Sequence, residues 1–343
     1  MQPSRRAFLF GRQTPRTPWD AFVQRLGREA QGRVRDLSGT GVNRARLIPV
    51  DRGDVRQARA LCAEYGVMLR PRWPLPAPDG NDARIARLPD AEDAGGVETG
   101  GIHDAAASPF GESGGVSATG HLPFALLDLE ASDGRPVLEI DLSNLSTLMR
   151  LPQTGQWLAE PGCQVGDLVA AGLPQFRDAP ADWCLAVWMA TAQGWAAGKT
   201  AASGIVDVDV LLSDGTVERL GAFGASGQQP LLSATVQRLV PSLFQLSVSP
   251  DAVLCRDEHD WPCRYRLDAL LPTAPSEVNL AHLLLGHRGE LAWIESITLM
   301  PGEADMPHTL PAGAPHSHQA TGAARRLQMQ MKQAFDPLDL YGG

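Results

Sequence analysis

The sequence predicts an α+β protein, and three stretches predict it. Arg46 to Val50 reads as a short strand, Asp54 to Tyr65 as a helix burying Val55, Ala58, Leu61 and Cys62, and Val67 to Arg70 as a second strand. Gly66 stops the helix, and such a strand, helix, strand unit builds a small parallel sheet. Further on, Ile205 to Leu212, the turn Ser213-Asp-Gly-Thr216 and Val217 to Leu220 form a hairpin, because Asp-Gly supplies the left-handed backbone that a tight turn between strands needs. Near the C-terminal end, Gly286-His-Arg-Gly-Glu-Leu-Ala-Trp-Ile runs two glycines three apart straight into a strand-like segment.

Composition narrows the function classes. At 343 residues the chain can bury a sizeable core in two domains or two subdomains. A 43% apolar and 20% charged composition is that of a globular protein, and the formal charge of -9 with scattered basic residues argues against a nucleic-acid partner. Cys62, Cys163, Cys184, Cys255 and Cys263 form no CxxC pair, so neither a disulfide framework nor a zinc site is expected and the thiols are read as reduced and partly buried. Ser4-Arg-Arg-Ala-Phe-Leu9 matches a twin-arginine export pattern. Gly11 to Arg16 interrupts the apolar region of roughly 7–15 residues that a signal needs, so a cytoplasmic location is expected. No run of about 18 apolar residues occurs, and no membrane span is expected.

The remaining elements follow from period and punctuation. Trp19 to Leu26 has helical spacing, with Trp19, Phe22, Val23 and Leu26 on one face. Residues 71–134 are rich in Pro, Gly, Ala and Asp and offer few apolar groups to offset ordering entropy, so they read as a flexible insertion. Order returns with Pro136 to Leu142 as an alternating strand, Gln156 to Ala159 as another, and Gln164 to Ala171 as a helix ended by Gly172. Leu231 to Phe244 reads as a helix and Ala252 to Arg256 as a short segment. Leu280 to Leu285 pairs with Leu291 to Met300 as two strands, residues 301–322 form a linker, and Ala323 to Phe335 a terminal helix.

Four segments and a tail carry a resemblance. Val137 to Leu148 (VLEIDLSNLSTL), Leu158 to Ala171 (LAEPGCQVGDLVAA), Val208 to Leu220 (VDVLLSDGTVERL) and Gly286 to Leu299 stand in the order of the corresponding segments of PCMH-type FAD-binding proteins of the vanillyl-alcohol-oxidase superfamily. Met331 to Pro337 (MKQAFDP) resembles the LKxxFDP tail of the glycolate oxidase and D-lactate dehydrogenase flavoproteins. Length and the missing cap domain make the glycolate oxidase FAD-binding subunit the most similar shape. The resemblance implies a two-subdomain fold, a small parallel-sheet subdomain plus a larger mixed or antiparallel sheet with helices. It divides the chain into a basic segment and helix at 1–44, a FAD-binding domain at 45–300 containing the insertion, the linker, and a helix with its FDP tail at 323–343.

The resemblance also implies a cofactor and a site. FAD would be lined by Gly198, Lys199, Ser203, Gly204 and Asp207, and by Gly286, His287, Gly289, Glu290, Leu291, Trp293 and Ile294. Two departures stand against this. Where the family has a glycine-rich phosphate loop, Arg70 to Pro78 (RPRWPLPAP) offers prolines, which have no N–H. Either Gly114 to Gly120 serves as a displaced loop, or pyrophosphate binding is lost or passed to Arg70 and Arg72. In the second flavin stretch, Trp188 stands where a glycine would be, either beside a flavin or in its place. The Gly198-Lys-Thr sequence lacks the Walker spacing, since position 193 is Gln193.

Other clusters admit two readings each. His308, His316 and His318 are metal-ligand types in a proline-rich linker. His287 either hydrogen-bonds cofactor or caps its turn. Arg264, Tyr265 and Arg266 either grip an anionic substrate such as a small carboxylate or lie on an alternating strand with Cys263, Tyr265 and Leu267 inward. The first functional expectation is a FAD-binding subunit of a 2-hydroxy-acid oxidase or dehydrogenase, with a partner oxidase or iron–sulfur subunit. The second is a flavin-free scaffold or assembly protein of the same fold. No catalytic residue is assigned.

Overall fold

The computed structural model describes residues 15–39, 42–72, 134–192, 195–224, 230–258, 260–302 and 318–342. Within them the chain is α+β, with two sheets. Helix α1 (Pro18–Glu29) opens on a capping box, Thr17 accepting from the Asp20 N–H while Asp20 reaches back, with proline at the first helical position. Its buried face carries Trp19, Phe22 and Leu26, as the spacing predicts. β1 (Arg33–Asp36), β2 (Arg44–Ile48), β3 (Met68–Pro71) and β4 (Val137–Ile140) make the first sheet in the order β1-β2-β4-β3. Between β2 and β3 runs α2 (Arg52–Tyr65), capped by Asp51 and closed at Gly66 with φ +66°.

β2 and β3 are both parallel to β4, which lies between them. The sequence reading placed β4 on an alternating pattern, but all four of its residues are buried. That is the signature of a central parallel strand covered on both faces. On one face, Arg46, Glu139 and Arg70 align across three strands. Glu139, 2% exposed, accepts from Arg70 at 2.9 Å and also meets Arg44 and Arg46. These guanidinium groups hold its carboxyl below the usual range against the opposing pull of burial.

The second sheet is β5 (Leu148–Arg150), β6 (Trp157–Ala159), β7 (Ile205–Leu211), β8 (Val217–Leu220) and β9 (Trp293–Leu299), in the order β5-β6-β9-β7-β8, antiparallel throughout. The Asp-Gly hairpin is β7–β8, with Gly215 at φ +92°. Helices α3 (Val165–Ala170), α4 (Leu185–Thr191), α5 (Ala234–Ser247), α6 (Pro250–Arg256) and α7 (His318–Phe335) complete the regular structure. Arg56 of α2 donates from Nε to Glu295 of β9 at 2.6 Å, and Tyr341 donates from its hydroxyl to the Leu211 carbonyl at 2.7 Å. Those two bonds stitch the sheets together around one continuous core.

Three expectations need correction. Leu280 to Leu284 is a 3₁₀ turn started by the Asn279 side chain, which accepts from the Ala281 N–H, so only β9 of the expected strand pair exists. Asn279 also donates to the Ile205 and Val206 carbonyls, which fixes the turn beneath β7. Trp261 to Asp268 is likewise not a strand: it is irregular up to a 3₁₀ turn at Leu267–Leu270. The terminal helix starts at His318, five residues inside the expected linker. The stretch Gly114 to Gly120, the remainder of the insertion from 73 to 133, His308 and His316 lie outside the described residues.

Candidate functional site

A cleft opens where the two sheets meet. Pro71 at the end of β3, Leu142, Pro161, Ala186 of α4, His287, Gly289, Ala292, Trp293 and Ile294 line it. The glycine turn enters this cleft with three left-handed residues, Gly286 at φ +73°, Arg288 at +50° and Gly289 at +78°. Glycine adopts that backbone freely, which is why the two glycines sit three apart before β9. Four of the five N–H groups from Gly286 to Glu290 are spent internally. The N–H groups of Gly286 and Arg288 go to the Met189 and Ala190 carbonyls at the end of α4. Gly289 donates to His287 Nδ1 at 3.1 Å, and Glu290 to the His287 carbonyl at 2.9 Å.

His287 is 3% exposed. Because its Nδ1 accepts from Gly289, the ring proton sits on Nε2, and that N–H has no partner among the described residues. Burial pushes its pKa down to about 3, so the ring is neutral at ordinary pH. Glu290 turns away from the cleft. Its carboxylate accepts from Arg264 at 2.6 and 2.7 Å and from the Tyr265 hydroxyl, whose pKa is raised by burial and then by this neighbouring charge. Lys332 donates to the Glu290 carbonyl, to Asp336 and to the Tyr341 carbonyl. Asp336 in turn accepts from the Leu340 and Tyr341 N–H groups. The FDP tail therefore clamps the glycine turn from behind.

The residues around Gly198 form a separate place. Lys199, exposed, lines an open cleft of about 800 Å³ with Thr273 to Ser276, Pro301 and Gly302. The Gly198 N–H donates to Asp268 at 2.8 Å, and the Lys199, Ala202 and Gly204 N–H groups go to carbonyls one turn back. Ser203 accepts from Ile205, and Asp207 accepts from Thr298 on the neighbouring strand, its pKa raised chiefly by burial. The structure thus brings His287, Gly289, Trp293 and Ile294 to the inter-sheet cleft, with Gly286 and Leu291 in the same segment, and places Lys199 at the second cleft with Gly198, Ser203 and Gly204 next to it in sequence, while Asp207 bonds across from β7 to β9.

FAD does not fit the inter-sheet cleft as the described residues line it. The inter-sheet cleft has a cavity volume of about 20 Å³, room for roughly one water, whereas a drug-sized ligand takes roughly 300–1,000 Å³. A pyrophosphate needs free N–H groups or free cations. The N–H groups of Gly286 and Arg288 to Glu290 are spent internally, and Pro71 and Pro161 in the wall have none. Arg70 and Arg72, the substitutes that the sequence suggests, are paired with Glu139 and Asp141, each at 2.9 Å. Trp188, the other departure, packs inside. It is 2% exposed and meets Phe176 and Trp195 edge-on at ring-centroid distances of 4.5 and 5.8 Å, so it fills core space.

No protein-family model matches the sequence, and no curated protein does. Solved structures do match. The neighbours are PCMH-type FAD-binding oxidases and related enzymes, at low identity and low TM-score. A 6-hydroxy-D-nicotine oxidase from Arthrobacter nicotinovorans is 10% identical, with 80% of this chain covering 43% of that one at a TM-score of 0.39. For a xylooligosaccharide oxidase from Myceliophthora thermophila the values are 11%, 82%, 42% and 0.38. For an alkyldihydroxyacetonephosphate synthase they are 11%, 84%, 41% and 0.43. The chain spans about two fifths of the length of these structures, and no residue role is carried from them.

The remaining clusters are structural. Arg266 is 1% exposed, bound to Asp268 and to the Trp195 and Ala196 carbonyls, which leaves it in neither a substrate pocket nor water. Cys263, Tyr265 and Leu267 are buried as expected. His282 bonds Thr200 and the Ile205 carbonyl, and burial lowers its pKa to about 4. Among the described residues no group of His, Cys, Asp and Glu is placed to hold a metal, and no helix is long and apolar enough to cross a membrane. Sequence reasoning missed Lys332 and Asp336 as the residues that fasten the glycine turn; the FDP motif was the available signal.

Proposed function

We propose that this chain is a flavin-free PCMH-like protein, a scaffold or assembly subunit for an oxidoreductase whose FAD or iron–sulfur chemistry resides in a partner. The single observation that carries the reading is the accounting of donors at the inter-sheet cleft, where four of the five N–H groups from Gly286 to Glu290, all but that of His287, are spent on the chain itself. Prolines, Trp188 and the paired Arg70 and Arg72 all point the same way. Nor do the described residues offer a free cation for a 2-hydroxy-acid carboxylate at this cleft, since Arg264 is engaged by Glu290.

A second reading, a FAD-dependent oxidoreductase subunit acting on a small carboxylate, is favoured by one observation, the unpartnered His287 Nε2 beside the glycine turn. Flavin extraction from the purified protein separates the two. The first reading expects no released flavin, and none retained after incubation with FAD and desalting. Stoichiometric flavin would replace it with the second, and Gly286→Val and Gly289→Val would then have to lower the flavin content.

A further inference from the structure

Cys255 and Cys263 stand apart from the other three cysteines. Their sulfurs lie 3.6 Å apart, with the Cys263 S–H donating to Cys255 Sγ. Cys255 lies in the last turn of α6 with no exposure, and Cys263 is 5% exposed. A disulfide needs about 2.05 Å between sulfurs, so closing the pair takes a displacement of about 1.5 Å, shared between two side-chain rotations. No other pair of cysteine sulfurs is in hydrogen-bond contact among the described residues. Cys163 donates instead to the Thr147 carbonyl.

We infer that Cys255 and Cys263 form a dithiol modification site that is oxidised to an intramolecular disulfide by exchange with a low-molecular-weight disulfide of the glutathione class. Cys255 is the first nucleophile: the hydrogen bond from Cys263 favours its thiolate, while the same contact and burial hold the Cys263 proton in place. The Cys255 thiolate attacks one sulfur of the external disulfide, displacing one thiol and forming a mixed disulfide. Cys263 then gives up its proton and attacks Cys255 Sγ, releasing the second thiol. Both protein sulfurs are oxidised, the external disulfide is reduced to two thiols, and the two protein protons end on them.

Local opening of the irregular residues after α6 admits the reagent. The bond ties α6 to the residue that precedes Arg264 and Tyr265, the two groups holding Glu290 at the glycine turn. Oxidation thus fixes to α6 the segment that holds Glu290 behind the glycine turn. This site is independent of whether FAD binds.

The test equilibrates folded protein in glutathione and glutathione-disulfide buffers, quenches with acid, alkylates under denaturing conditions and maps the peptides. The expected result is a species two hydrogens lighter, with Cys62, Cys163 and Cys184 alkylated and Cys255 linked to Cys263. Amide exchange across residues 260–266 should slow several-fold in that form. Cys255→Ser should abolish the link, while Cys62→Ser should leave it. Five alkylatable thiols at the most oxidising buffer, a link between another pair, or unchanged amide exchange would overturn the inference; the wild-type map decides even where a serine variant fails to fold.

Discussion

Trp188 occupies the position where the family resemblance calls for a glycine, and its surroundings make it core. Trp188→Ala should cost ~3–5 kcal/mol in denaturant unfolding, the range for deleting a buried tryptophan; a change under about 1 kcal/mol would mean the site is a tolerant cleft wall. His282 and His287 add a pH signature. Their folded pKa values, about 4 and about 3, lie below the unfolded value near 6.5, so the unfolded chain binds their protons first. Stability is therefore full above pH 6.5 and falls as pH drops, by up to about 1.4 kcal/mol per unit for each histidine. Unfolding midpoints between pH 7 and 5 should show this loss, and His287→Gln should flatten the slope. An identical slope in the variant would contradict the burial described. Of these residues, the glycines and His287 were legible as a motif, but the donor accounting was not, because hydrogen-bond partners such as the Met189 and Ala190 carbonyls lie about a hundred positions away in sequence.

The elements that sequence reasoning placed well are those whose signals are local. α1 has its proline and capping box, α2 its Asp51 cap and Gly66 stop, and β7–β8 its Asp-Gly turn. β1 escaped notice because its Arg-Val-Arg-Asp sequence has no apolar alternation; it exists by pairing with β2 at the sheet edge. The 3₁₀ turn at Leu280–Leu284 misled for the opposite reason, since a run of buried leucines reads equally as strand. The last residues show how tertiary bonds override such signals: Leu69 pairs with Tyr341, whose ring is buried against the second sheet. Tyr341→Phe should cost about 1 kcal/mol by losing one hydrogen bond, and Tyr341→Ala ~3–5 kcal/mol by opening the junction. Equal losses in urea unfolding would mean that the ring does not join the sheets.

The two sheets meet with their core filled, which separates fold from cofactor occupancy. Segment order made the α+β architecture readable. What the sequence could not disclose was how closely the sheets approach, because that distance depends on Pro71, Pro161, Ala186 and Trp293 packing at the junction and on the Arg56–Glu295 pair that joins α2 to β9. The inter-sheet cleft is left narrow, with a cavity volume of about 20 Å³. When FAD is titrated with the purified protein and flavin fluorescence is followed, a cleft this narrow should give no quenching and no saturation; saturable quenching at one FAD per chain would show instead that the protein holds the flavin.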